Sequence, residues 1–208
     1  MEFKPLSNLP EQIAEHISTK IIRMEYKPGE RLFETTIAKE FGISRSPIRE
    51  AFRILEKKRL VNLIPRHGAV VTEISETYKH NLFDILISLV TLSAYKCIEH
   101  GTEENFIHIH EIANQAIKYA EQNNFMEYYN SIVKFALACL RATKNILLEQ
   151  MVFDLMPCFQ RILYASFSIA GQDLNKNSEI VKIGAKYLKE GNKEMAAKTV
   201  HNFIISFS

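Results

Sequence analysis

Three arginines recur at four-residue steps in one short stretch, Gly42 to Val61, "GISRSPIREAFRILEKKRLV": Arg45, Arg49 and Arg53. The planar fork of arginine offers paired N–H donors that bond a phosphate, or the O6/N7 edge of guanine, two at a time. Ser44 and Ser46 stand beside them. Hydroxyls and the free N–H groups of a helix start are donors for phosphate oxygens. Lys57, Lys58 and Arg59 follow at the far end, where they also complement a helix dipole. This is chemistry for gripping a polyanion. Nothing comparable exists for catalysis: the chain has no Gly-rich phosphate loop, no G-x-S-x-G and no H-E-x-x-H.

For the arginines to share a face the stretch must be helical, and Ile48, Phe52 and Leu55 supply the opposite, apolar face that packs it on its own domain. Pro47 suits its first turn, and Ser44 or Ser46 its cap. Just before it, "TIAKEFG" reads as a short helix capped by Thr35 or Thr36 and stopped by Gly42. Two helices joined by so short a turn are a helix-turn-helix. An earlier helix runs from about Asn8 with Ile13, Ile17 and Ile21 on one stripe, until "YKPGERL" stops it. Two β-like runs, "LVNLI" and "AVVTEI", flank "PRHG", a hairpin with Arg66 and His67 at its tip and Gly68 in the turn. Helix, helix, helix, hairpin is the order of a winged helix-turn-helix. Charge agrees. Residues 1–75 carry 13 Lys+Arg against 10 Glu, a net of +3, and Ser44–Gly68 alone carries +5; that local basicity fits a nucleic-acid partner.

From about Glu76 the pattern turns helical throughout, with segments expected at roughly 76–99, 103–122, 125–142, 145–170, 176–190 and 192–207. The chain therefore reads as mainly α: a winged helix-turn-helix over residues 1–75, then an all-α antiparallel bundle over 76–208. With 208 residues and 47% hydrophobic content, both parts can bury proper cores. Apolar runs such as "LFDILISLV" fall short of the roughly 18 consecutive apolar residues of a membrane span, and no signal-peptide layout opens the chain. A cytoplasmic protein without a membrane partner is expected. Cys97, Cys139 and Cys158 are widely spaced within apolar helical patterns and read as buried structural thiols. His100, His108 and His110, with Glu104 and Glu111, read as a solvated surface, because i, i+2 neighbours diverge on a helix.

The run "KPGERLFETTIAKEFGISRSPIREAFRILEKKRLVNLIPRHGAVV" resembles the DNA-binding domain of the GntR regulators over about residues 9 to 72. That family's pattern is a PG-x-x-L turn, an LA-x-x-x-G-V-S-R-x-P-V-R-E-A-L core and an R-x-G-x-x-V wing. The resemblance implies that Arg45 and Arg49 contact operator DNA, with Ser44, Ser46 and Thr35 on the phosphates. Arg66, His67 and Gly68 would reach the minor-groove side. It also implies a homodimer on double-stranded DNA, acting as a transcriptional regulator, most naturally a repressor. Phe33 departs from the family, where a polar or small residue is common.

The helical remainder is similar to the FadR C-terminal effector type, chiefly through "KFALACLRATKNILL". Many such domains hold a divalent metal through one Asp and three His. Anchored on Phe135 and Asn145, the Asp position falls on Ile132 and the first His position on Ala136; the others fall near Val181 and Phe203. The arginine and glutamate common on the first effector helix correspond to Leu86 and Val90. None of these side chains donates a lone pair to a metal. His201 lies two positions from Phe203, about 200° around a helix. No metal and no cofactor are expected. Leu86, Val90, Ile132, Ala136 and Val181 would line an effector pocket suited to an apolar or acyl-type small molecule. Another small molecule, or a filled core in an effector-independent dimer, stays open. An enzyme fused to a DNA-binding domain, known in one GntR branch, fits poorly, since the bundle shows no recognisable nucleophile, carboxylate pair or cofactor lysine.

Overall fold

The computed structural model describes residues 9–65, 68–168 and 173–207. Its elements run α1 (Leu9–Ile22), β1 (Arg31–Leu32), α2 (Glu34–Phe41), α3 (Arg45–Lys57), β2 (Val61–Ile64) and β3 (Gly68–Val71). Then come α4 (Glu76–His100), α5 (Glu103–Glu121), α6 (Phe125–Ala142), α7 (Ile146–Ser168), α8 (Leu174–Lys189) and α9 (Lys193–Ile205). They divide into two compact units, Met1–Ser75 with Met156–Arg161, and Glu76–Leu155 with Ile162–Ser208. The short α7 segment in the first unit is a departure from a simple cut at residue 75.

In the first unit, Ile13, Ile17 and Ile21 of α1 pack against α3, whose Ile48, Ala51, Phe52 and Leu55 are fully buried. Their spacing of three and four residues puts them on one face of α3. Gly42 follows α2 in the left-handed conformation (φ 65°), where only glycine is unstrained, and lets the chain turn into α3. Beyond α3, Arg59 takes a left-handed backbone (φ 57°) to swing the chain into β2.

Three strands form the sheet, in the order β1-β3-β2 and antiparallel throughout. The sequence reading gave only the hairpin and longer strands; β1 was missed because two residues leave no alternation to read. Gly68 shows why the wing begins as it does. Its φ is +90°, and a Cβ there would lie 2.2 Å from the Leu32 carbonyl oxygen, so β1 and β3 meet only over a bare backbone. The far end of the wing is fixed by Thr72, whose hydroxyl donates to the Arg59 carbonyl at 2.8 Å. Buried Arg161 donates in turn to the Thr72 hydroxyl and carbonyl, at 3.0 and 2.9 Å.

In the second unit α4 packs on α6, α8 and α9, while α5 packs on α6 and α8. The expected helix boundaries need small corrections, most clearly at α8. It starts at Leu174 because the Asp173 side chain accepts from the Asn175 and Lys176 amides. One expectation about apolar runs also changes. By length and composition α4 is long and apolar enough to cross a membrane, although polar residues interrupt its runs. Its contacts with three helices make it a bundle helix, with Leu82, Phe83, Leu86, Ala94 and Cys97 buried.

Candidate nucleic-acid interface

On α3, steps of four residues turn about 400°, so Arg45, Arg49 and Arg53 drift only about 80° over two steps. All three are exposed, opposite the buried Ile48, Phe52 and Leu55. The structure thus brings the three arginines onto one outward face. Their partners differ. Arg53 Nη1 donates to Glu50 Oε1 at 2.6 Å, one turn back on the same face. Arg49 donates through Nε and Nη2 to the two carboxylate oxygens of Glu34, at 3.0 and 2.9 Å. No ion pair involves Arg45 among the described residues.

Glu34 is the residue the sequence reading missed. It opens α2, fifteen positions before Arg49, and only the fold of the helix-turn-helix brings them together. Its side chain is 19% exposed against 57% for Arg49, so the carboxylate is the recessed partner. The Arg49 hydrogen bonds hold the Glu34 carboxyl below its ordinary range, against the opposing effect of burial. Glu34 takes the Nε/Nη2 edge of the guanidinium. The Nη1/Nη2 edge makes no further hydrogen bond among the described residues, and on a side chain 57% exposed it is a second fork shaped for guanine O6/N7 or phosphate.

The serines and threonines correct the expected caps. Phe33, not Thr35 or Thr36, precedes α2; it has no capping oxygen, and its carbonyl accepts from the Ile37 amide at 3.1 Å. Thr35 and Thr36 lie within the first turn with exposed side chains. Ser44 is the residue before α3, but its hydroxyl makes no capping bond, and Ser46 lies inside the helix. Both serines are exposed. Phe33 is 46% exposed, with the Arg31 guanidinium 5.1 Å from its ring centroid. Gly68 begins β3, while the expected wing-tip contacts Arg66 and His67 lie outside the described residues.

In the bundle, the positions expected to line an effector pocket fall on α4 (Leu86, Val90), α6 (Ile132, Ala136) and α8 (Val181). Leu86, Ile132 and Val181 are 2%, 4% and 5% exposed, and Val90 and Ala136 are half-buried. One turn away on α6 and α8 stand two residues the pocket reading left out. The Tyr128 hydroxyl donates to Asn177 Oδ1 at 2.6 Å, and Asn177 Nδ2 donates to Ser206 Oγ at 3.4 Å. Phe167 and Phe207 stack edge to face around this polar core. His201 is exposed on α9, as its rotation from Phe203 requires. Among the described residues no three His, Cys, Asp or Glu side chains group as a metal site.

Residues 9–71 match the model of the bacterial regulatory proteins of the gntR family. Over these residues the winged helix-turn-helix is similar to the GntR DNA-binding domain. Among similar proteins, the HTH-type transcriptional regulator YdhC of Bacillus subtilis (strain 168) is 39% identical over 93 residues, 45% of this chain and 42% of YdhC. The gluconate operon transcriptional repressor of the same organism is 27% identical over 161 residues, 76% of this chain and 65% of the repressor. The matched region thus spans less than two thirds of either relative. Over the whole chain the solved structure of E. coli McbR/YncC has the same fold, with a TM-score of 0.84 at 19% identity, covering 97% of this chain and 95% of that one.

Proposed function

We propose that this GntR-family protein is a DNA-binding transcriptional repressor, working as a homodimer on a pseudo-palindromic operator in the cytoplasm, and not an enzyme. The observation that carries the reading is α3: three outward arginines over a fully buried face, with the Nη1/Nη2 fork of Arg49 left open by Glu34. Arg45 and Arg49 read base edges in the major groove, and Arg53 joins them once it leaves Glu50. Ser44, Ser46 and Thr35 hold phosphates, and the wing from Arg66 through His67 to Gly68 lies toward the minor groove. Two copies present two such helices about one DNA turn apart, roughly 34 Å, which sets the half-site spacing.

The helical domain modulates operator affinity through a small-molecule effector of apolar or acyl type, lined by Leu86, Val90, Ile132, Ala136 and Val181, without metal or other cofactor. Such coupling requires the effector to bind the DNA-competent and incompetent states with different affinity. One observation favours a second reading. Leu86, Ile132 and Val181 are nearly as buried as a filled core requires, in which case the bundle only dimerises the heads.

Selection of the purified chain against random duplex DNA tests the first part: an enriched inverted repeat is expected, and no enrichment overturns it. Native mass spectrometry of the same preparation tests the second. A retained acyl-like mass on a dimer supports the effector, a retained metal contradicts the pocket's chemistry, and a bare dimer that stays bare in cell extract supports the second reading.

A further inference from the structure

Helices α5 and α6, joined by a short turn, pack side by side in opposite directions and leave an open groove of about 530 Å³ along one flank. None of Leu86, Val90, Ile132, Ala136 and Val181 lines it, so it is separate from the apolar positions of the bundle interior. From α6 it takes Ser131, Lys134, Ala138 and Arg141, whose steps of three and four keep one face of the helix. Asn105, Ile112 and Gln115 face them from α5 at similar steps. Because the helices run oppositely, Arg141 comes level with Asn105 at one end, and Ser131 and Lys134 come level with Gln115 toward the other. Ile112 and Ala138 form the apolar stretch between them.

The polar groups of this groove are unspent. Ser131 is only 4% exposed, yet among the described residues its hydroxyl makes no hydrogen bond. Ser88, Ser93 and Thr199, also inside helices, each donate to the carbonyl four residues back, and Ser131 does not. A buried hydroxyl without a partner is costly until a ligand supplies one. Lys134 and Arg141 form no ion pair and no hydrogen bond among the described residues. The Asn105 Oδ1 accepts from the Thr102 amide at 3.0 Å, which orients the side chain and leaves its Nδ2 as a donor beside Arg141. Glu111, the acid of the lining, is 72% exposed and turned to His108 at 3.9 Å. We propose that the groove binds a linear dianion, with one singly charged acid group at each end of a short apolar chain, as in an α,ω-dicarboxylate. The Arg141 fork and Asn105 take one carboxylate; Lys134 and the Ser131 hydroxyl take the other. Seven residues separate the two cations, about 10.5 Å along the helix axis, and Ile112 and Ala138 accept the methylene chain between them. One cation at each end balances one charge at each end, which disfavours a bisphosphate, whose groups carry nearly twice the charge.

The test is isothermal titration calorimetry of the full chain with suberate, an eight-carbon dicarboxylate of comparable length, beside octanoate and succinate. Expected is one suberate per chain, bound more tightly than octanoate, which lacks the second charge, and than succinate, which is too short to reach both cations. Lys134→Gln and Arg141→Gln, both at exposed positions, should each weaken suberate by about tenfold and abolish its advantage over octanoate. Ser131→Ala should weaken suberate without lowering the melting temperature, since the hydroxyl has no partner in the protein to lose. Arg49→Ala, in the other unit, should leave suberate binding unchanged. No suberate binding, equal affinity for octanoate, indifference to both cation variants, or loss in Arg49→Ala would each overturn the site. So would a Ser131→Ala protein that melts lower and binds suberate as wild type does.

Discussion

Replacing Glu34 with glutamine separates two roles that a carboxylate beside an arginine proposed to read DNA can play. A plain negative charge near phosphates weakens all DNA binding alike, whereas a carboxylate that holds a fork in place strengthens the cognate complex. The structure favours the second role. Of the five N–H donors of Arg49, Glu34 engages Nε and one on Nη2, at 3.0 and 2.9 Å, and leaves the end-on pair free. If Arg49 contacts a base edge as proposed, Arg49→Ala should cost about 5- to 150-fold in operator affinity. Glu34→Gln retains the shape and one acceptor but loses the charge-assisted pair, so Arg49 must be ordered afresh on binding. Ordering one long side chain costs roughly 0.5–1.5 kcal/mol, which predicts about a 2- to 13-fold loss on operator. On random DNA the same variant should bind slightly more tightly, because a negative charge near the phosphates is gone. Fluorescence anisotropy titrations on operator and random duplexes, each over a series of salt concentrations, measure both. If Glu34→Gln strengthens the two equally, the carboxylate is a uniform electrostatic brake and the held-fork reasoning is wrong.

Tyr128→Phe should lower stability by roughly 1–3 kcal/mol, since it strips a fully buried donor from Asn177; chemical denaturation would show it, and an unchanged midpoint would mean that Asn177 is satisfied some other way. Gly68→Ala should cost more than about 1 kcal/mol, because alanine meets both a positive φ and the Leu32 carbonyl; a wild-type melting curve would show that β1 and β3 separate without penalty. Glu99 accepts from Lys193 at 2.7 Å and Lys96 at 2.8 Å, which holds its carboxyl at about 2 instead of 4.5. A depressed folded pKa stabilises above the unfolded value, so Glu99→Gln should melt below wild type at pH 7, with the gap closing as the pH falls from 4.5 toward 2. A gap independent of pH would assign the difference to shape and not to charge.

The legible parts of the fold were those written as local pattern. Ile48, Phe52 and Leu55 recur at helical spacing, and Gly42 stops α2, so the helix-turn-helix could be read along the chain. The wing was half legible: the β2–β3 hairpin has turn residues, but β1 is two residues whose pairing is decided by Gly68, more than thirty positions later. Interface residues divide in the same way. That Arg45, Arg49 and Arg53 face outward follows from the helical period, while the Glu34 pairing, the Tyr128–Asn177 bond and the Arg161 bonds to Thr72 are tertiary events without a local signature. Caps were misjudged because Thr35 looks like a capping residue, whereas the helix begins one residue earlier behind a phenylalanine.

We propose that α3 reads guanine through Arg49 on each half-site of the operator. Methylation interference at guanine N7, on a selected operator with wild type and Arg49→Ala side by side, tests it most directly. A symmetric pair of guanines is expected whose methylation blocks wild-type binding and no longer matters to Arg49→Ala. An identical interference pattern for the two proteins, or interference from phosphate ethylation alone, would contradict it.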